Sequence, residues 1–363
     1  MEIFSRRPAL RWVAPVALAV AVAGTGIVAS TAEAEPALPP KTAEQLLVDL
    51  QESDVQDLSG TVVQKAELGL PALPSMGDGA DASQLTSLLS GSHTLRVWYD
   101  GPDKARLALT DNQLGETDVI LNGRDLWTWS SHDNEATHVT LPEKPAGEET
   151  SKPETPTTPQ EAAREVLEAI EPTTVVRTDS AVEVADRPAR ELVLEPSDDR
   201  SLISQVRVAV DDETSAPLRV RVLGANAQTV AEVGFTAVEF ATPDPRHFTF
   251  NPPPGAEITE KGALEPPADP ELSEAERDQA LEAHEENTKV VGEGWTAVVV
   301  TEVPDEAASG QLGAFLATLP SVSGDWGSGK LMAGTAFSAV LTDDGRLAVG
   351  AVQPQLLYDA LAK

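Results

Sequence analysis

The chain has 363 residues, with 59 acidic and 26 basic side chains and a formal charge of −33. That length admits two domains and a full core, while the charge repels a phosphate backbone and argues against nucleic acid as a partner. With no cysteine anywhere, disulfides, thiolate nucleophiles, thiolate zinc sites and lipid-acceptor cysteines are excluded.

Residues 1–34 read as an export signal. Arg6, Arg7 and Arg11 precede an apolar run from Trp12 to Ala29, and Ala32-Glu33-Ala34 supplies a small-x-small cleavage pattern. Pro15, Gly24 and Gly26 break the run, which makes it a poor permanent span although it is long enough for one. Cleavage after Ala34 is the expectation and an uncleaved membrane anchor the alternative; both place the protein outside the cytoplasm, in the cell envelope or secreted. Ser5 to Arg11 also approaches a twin-arginine export motif, with Ala9 where a large apolar residue is usual.

In chain order, Leu46, Leu47, Leu50 and Val55 fall at helical spacing over residues 42–58, ahead of the strand-like Gly60–Lys65. From there to about residue 250 the pattern is β. Leu95, Val97, Tyr99, then Leu107, Leu109, then Val206, Val208, Val210, and then Leu218, Val220, Val222 each recur at every second residue. Arg96, Arg106, Gln205, Arg207, Arg219 and Arg221 fill the alternate places, which predicts a sheet with one apolar and one polar face. Counting such segments gives about eleven strands. Asn122-Gly123 and Asp343-Asp344-Gly345 mark hairpin turns, since these residues tolerate positive φ.

Three stretches interrupt the meander. Leu68 to Ser92 is far longer than a hairpin loop and carries Leu85, Leu88 and Leu89, too apolar for a solvated loop; it is the expected cover, or plug, of an open sheet. Pro142 to Pro159 is proline-rich and polar, reads as flexible, and leads to a short helix, Gln160 to Ile170, with one apolar stripe. Pro252 to Pro270 precedes an acidic helix, Ser273 to Thr288, that opens on a capping-box pattern. The organisation is thus a signal at 1–34, a β domain at 35–260, a linker and acidic helix at 261–289 and a small α+β domain at 290–363. The last contains strand Trp295–Val303, helix Gln311–Leu319, hairpin Leu331–Val352 and helix Gln355–Leu361.

Chemical motifs are scarce. Gly324 to Leu331 nearly spells a phosphate-binding loop, but Leu331 replaces the magnesium-holding hydroxyl, Asp325 adds negative charge, and β-type sequence follows. The five histidines show no metal-ligand spacing, and no serine sits in a nucleophile elbow. The reading is therefore a non-enzymatic protein with no cofactor and no metal. Trp127 and Trp129, two apart, share one face of a strand: core packing is the bland reading, an apolar surface for a greasy ligand the sharper one.

Four stretches carry a family resemblance. Asp57–Lys65, Thr94–Arg106 and Val119–Trp127 resemble successive strands of lipoprotein-carrier (LolA-type) proteins, and Asp244–Ala256 resembles that family's F-x-F-x-P-P-x-G close. Gly334–Ser338 and Leu347–Pro354 resemble, more weakly, the C-terminal domain of RseB/MucB proteins. The resemblance implies an open antiparallel half-barrel capped by helices, whose concave apolar face holds acyl chains of a lipid or lipoprotein, followed by a small α+β domain. The implied lining is Leu95, Val97, Tyr99, Leu107, Leu109, Trp127, Trp129, Val206, Val208, Val210, Leu218, Val220 and Val222, with Leu85, Leu88 and Leu89 as lid. It implies, as further partners, a lipoprotein-release transporter or the extracytoplasmic part of a membrane anti-sigma factor; on the latter reading lipid is a signal, and deleting residues 271–363 should abolish partner binding and spare lipid binding. One departure stands out: carriers place Arg before the proline matched by Pro102, and here the residue is Gly101.

Overall fold

The computed structural model describes residues 39–69, 90–110, 115–142, 170, 172–261, 288–303 and 310–363. The export segment, the lid leucines Leu85, Leu88 and Leu89, the proline-rich linker beyond Pro142, most of the helix ending at Ile170, and the acidic helix before Thr288 lie outside the described residues.

Helix α1 (Ala43–Glu52) starts in a capping box: Gln45 N donates to Thr42 Oγ1 at 3.2 Å and Thr42 N to Gln45 Oε1 at 2.9 Å. It buries Leu46 and Val48. Twelve strands follow: β1 (Asp57–Glu67), β2 (Ser90–Asp100), β3 (Lys104–Thr110), β4 (Glu116–Asn122), β5 (Asp125–Ser130), β6 (Glu135–Thr140), β7 (Thr174–Val184), β8 (Arg187–Pro196), β9 (Ile203–Asp211), β10 (Pro217–Gly224), β11 (Thr229–Glu239) and β12 (Glu257–Lys261).

They form one sheet in the order β12-β6-β5-β4-β3-β2-β1-β11-β10-β9-β8-β7. Every pairing is antiparallel except that of β12 with β6. The end strands β12 and β7 do not pair, so the sheet is open: the antiparallel half-barrel that the family resemblance implies. The strand beyond the expected eleven is β12, whose residues are exposed throughout and whose sequence has no apolar alternation to announce it.

The β2–β3 turn explains the departure at Gly101. Its φ is +70° and its N–H donates to Gln56 O at 2.8 Å; arginine there would sit in the left-handed region at a steric cost.

The second unit is a six-stranded sheet, β13 (Lys289–Val291), β14 (Val298–Glu302), β15 (Ser321–Gly324), β16 (Gly327–Ala333), β17 (Ser338–Thr342) and β18 (Arg346–Gly350), in the order β13-β14-β18-β17-β16-β15. Helix α2 (Gly310–Thr318) precedes β15, and α3 (Pro354–Leu361) packs on β14, β17 and β18, burying Leu357, Ala360 and Leu361. The expected strand from Trp295 begins only at Val298: Gly294–Thr296 forms a 3-10 turn that turns Trp295 inward to 3% exposure. The glycine-rich Gly324–Leu331 is the β15–β16 hairpin, and Lys330 Nζ donates to Ser321 Oγ at 3.0 Å. No helix follows that could orient N–H groups toward a phosphate.

The two sheets are joined. Thr335 N donates to Leu68 O (2.8 Å), Leu202 N to Ala351 O (2.8 Å) and Gln353 N to Arg200 O (3.3 Å), and Ser201 bridges Val352. Trp295, Ala336 and Ala351 pack with Ile203, Val206, Val222 and Val230 in one core. Residues of both stretches that carried the RseB/MucB-like resemblance thus help to fasten this unit to the half-barrel, alongside Trp295.

Candidate functional site: an apolar face of the open sheet

Strand register decides which side chains share a face. Leu95 pairs with Leu109, Val97 with Leu107 and Tyr99 with Ala105; Leu107 in turn pairs with Val119 and Ala105 with Leu121, which faces Leu126. Through β1, Val62 joins this face opposite Leu95 and Phe235. Five of the expected lining residues thus converge across β2 and β3, and the register adds Val119, Leu121 and Leu126. Leu107 and Val119, directly opposed, are each 37% exposed, an unusual exposure for an apolar pair in the interior of a wide sheet. Val119 and Leu121 flank the apolar Ile120 in a continuous run, so the register and not the alternation places them on this face.

Val206, Val208, Val220 and Val222 lie on the same face, with Val208 opposite Val220 and Val206 opposite Val222. They are not open lining: the second unit covers them through Trp295, Ala336 and Ala351. Val210 follows by alternation on this face opposite Arg190 and is 1% exposed, and Leu218, at the bulge between β9 and β10, is also 1% exposed. Both are core here.

Trp127 and Trp129 are on the opposite face. A two-residue loop, with Gly123 at φ +64°, sets Asn122 against Asp125, so Trp127 falls opposite Ile120 and Trp129 opposite Asp118. That face is occupied by the chain's own tail. Asp244 Oδ1 caps the 3-10 turn Pro245–Phe248 by accepting from Arg246 N at 3.0 Å, and the turn packs on β3 and β4 with Phe248 2% exposed. His247 stacks on Trp98 (4.7 Å between centroids) and Phe250 leans on Trp127 (4.9 Å). Burial, then the positive charges of Arg246 and Arg106, lower the His247 pKa, while Arg106 lies over Trp98 at 5.4 Å and pairs with Asp118 at 2.6 Å. Trp98 and Trp127 therefore hold the segment that follows β11, and the apolar lining is aliphatic apart from Tyr99 and Phe235.

At the β6–β12 edge His138 stacks on Trp127 at 4.2 Å, with Nε2 3.0 Å from Asp125 Oδ1 and Nδ1 2.7 Å from Glu260 Oε2. Burial opposes the imidazolium, but the hydrogen bonds to Glu260 and Asp125 outweigh it and raise the pKa above 6.5. A raised folded value means that the stabilisation is complete below the unfolded value and is lost as pH rises through the folded one. His138→Gln is expected to lower the melting temperature more at about pH 6 than at about pH 8; an equal loss at both would show that the charge is not what holds β12.

A cleft of about 640 Å³ lies elsewhere, lined by Asp54, Gln56, Asp57, Thr214, Phe240 and Thr242 among others. Val55, Phe240 and Ala241 line it together with the carboxylates of Asp54 and Asp57, and burying those acids against a hydrocarbon chain would be costly. Among the described residues there is no group of three or more potential metal ligands, and no helix is long and apolar enough to cross a membrane.

The fold class is an open antiparallel half-barrel with an appended α+β unit. No family model and no curated protein matches the sequence. Among solved structures, the MucA/MucB complex of Pseudomonas aeruginosa matches over 88% of this chain and 96% of that chain, with 14% identity and a TM-score of 0.44. An uncharacterised conserved protein of Thermus thermophilus matches over 60% of this chain and 99% of that one (10% identity, TM-score 0.35). A LolA superfamily protein of Nitrosomonas europaea matches over 58% and 99% (12% identity, TM-score 0.23). Likenesses of this size say nothing about what this chain binds.

Proposed function

We propose that this is an exported, non-enzymatic binding protein that lays acyl chains of a lipid or lipoprotein on the aliphatic face of β2–β5, as a carrier or a sensor. The observation that carries this reading is the opposed pair Leu107 and Val119, each 37% exposed at the centre of that face. Each acyl methylene moved from water onto such a face is worth about 0.8 kcal/mol, so one long chain supplies of order 10 kcal/mol before ordering costs. That affinity needs no covalent chemistry.

The test is mass spectrometry of solvent extracts from the natively purified chain, beside Leu107→Gln with Val119→Thr. Both side chains are exposed, so the double variant is expected to keep its melting temperature and to lose about tenfold or more in affinity for a fluorescent fatty-acid probe. Absence of lipid from well-folded protein made in its own producing cells, together with unchanged probe binding in the variant, would sink the reading.

A second reading, a regulator that grips the extracytoplasmic part of a membrane anti-sigma factor, is supported by the RseB/MucB-like stretches Gly334–Ser338 and Leu347–Pro354. Because these stretches dock the second unit on the sheet, a partner on this reading meets both units together, and lipid on the first could alter what the second presents.

A further inference from the structure

Across β7–β10, on the face opposite the aliphatic one, lies a charged network built around Glu191. This carboxylate is 1% exposed and accepts from Arg207 Nε at 2.8 Å, Arg221 Nη2 at 2.7 Å and Arg219 Nη2 at 3.3 Å. Arg207 has a second acid, Asp179. Among the described residues, Arg219 and Arg221 hydrogen-bond to no acid but Glu191, and each Nε is buried without an acceptor. Glu232 stands across the ladder from Arg221 and forms no hydrogen bond with either arginine. Burial first, and Arg221 next, disfavour the charge on Arg219 and lower its pKa. The two guanidiniums thus share one buried hydrogen-bonded carboxylate, with Glu232 adding only a through-space attraction to Arg219, and their side chains remain 22% and 27% exposed.

We propose that Arg219 and Arg221 form a docking surface for carboxylates of an acidic, extended polypeptide segment of a partner protein. The two positions lie on one face of β10, two residues apart and so about 6.8 Å along the strand, which is the spacing of alternate side chains in another extended chain. Arginine holds carboxylates through paired, charge-assisted hydrogen bonds, and an incoming acid takes guanidinium N–H groups that Glu191 leaves unused.

The experiment is fluorescence anisotropy of the full chain with a labelled peptide of alternating Glu and Thr, against the same peptide with Gln for Glu, in low salt. Inorganic phosphate serves as a separate probe. The expected result is binding of the Glu peptide alone, weakened by added salt, reduced about five- to tenfold in Arg221→Gln and unchanged in Arg200→Gln, a surface arginine paired only with Asp198. Arg221→Lys, which keeps the charge beside Glu191, covers the case in which the glutamine variant fails to fold; a loss there still supports the proposal. No peptide binding, wild-type affinity in both Arg221 variants, or a response to phosphate without one to the peptide would each overturn it.

Discussion

Replacing Glu191 by alanine is expected to destabilise the half-barrel by about 3 kcal/mol, near the lower end of what removal of one partner from a buried ion pair costs. Three guanidiniums would then crowd one face with no common acceptor, and Arg207 alone would retain an acid, Asp179. The lower end applies because these side chains keep 17–27% exposure, so water recovers part of the loss. Glu191→Gln keeps the shape and one acceptor oxygen and should lose less. The carboxylate also carries an acid dependence. Burial raises its pKa, but Arg221 and Arg207 outweigh burial and bring it below 4.5. The stabilisation is therefore complete above 4.5 and disappears as pH falls through the lowered folded value. Urea denaturation of the wild type and both variants, at neutral pH and in acid, checks this. A difference under about 1 kcal/mol at neutral pH would mean that water already serves the three arginines.

Much of the sheet was legible because period-two alternation is a local property: Leu95, Val97 and Tyr99 must share a face whatever lies beside them. What alternation does not specify is how one strand's face matches the next, since that depends on register, and a slip of one residue exchanges the faces. Trp127 and Trp129 show the cost. Counting outward from a two-residue loop at Gly123 sets them opposite Ile120 and Asp118, away from Val119 and Leu107, and the turn signal that permits this count is in the sequence. The convergence on Glu191 was not legible. The alternating arginines of β9 and β10 were plain, but their acceptor sits on β8 just before the apolar run Leu192–Leu194, and nothing local announces that neighbouring strands will place their charges around it. Nor could Val206 and Val222 be told from ligand lining, because the side chains that cover them come from about 70 to 150 residues further along the chain.

That cover leads to the second large effect, at Trp295. Trp295→Ala is expected to cost about 4 kcal/mol, the range for emptying a large aromatic site in a core. The indole is 3% exposed, packs with Ile203, Val206, Val222 and Val230, and donates its N–H to Thr174 Oγ1 at 2.8 Å. Its position is fixed by Gly294, at φ +54°, where a Cβ would fall 2.4 Å from Thr173 Oγ1. Trp295→Phe separates the contributions: it keeps most of the area and leaves the hydroxyl of Thr174, itself 3% exposed, with only the 3.5 Å contact to Thr173 Oγ1, at about 1 kcal/mol. The same contacts bear on removal of residues 271–363. Cutting there uncovers Ile203, Val206, Val222 and Val230 at once and frees the carbonyl of Leu68, so the truncated half-barrel is expected to melt far earlier and to lose the acyl probe as well. If it instead kept its melting temperature and its probe affinity, the interface would be a dispensable contact and the two units separable modules. If Trp295→Ala alone weakened the binding of a protein partner without unfolding the sheet, the joint between the units would be where acyl occupancy and partner binding meet.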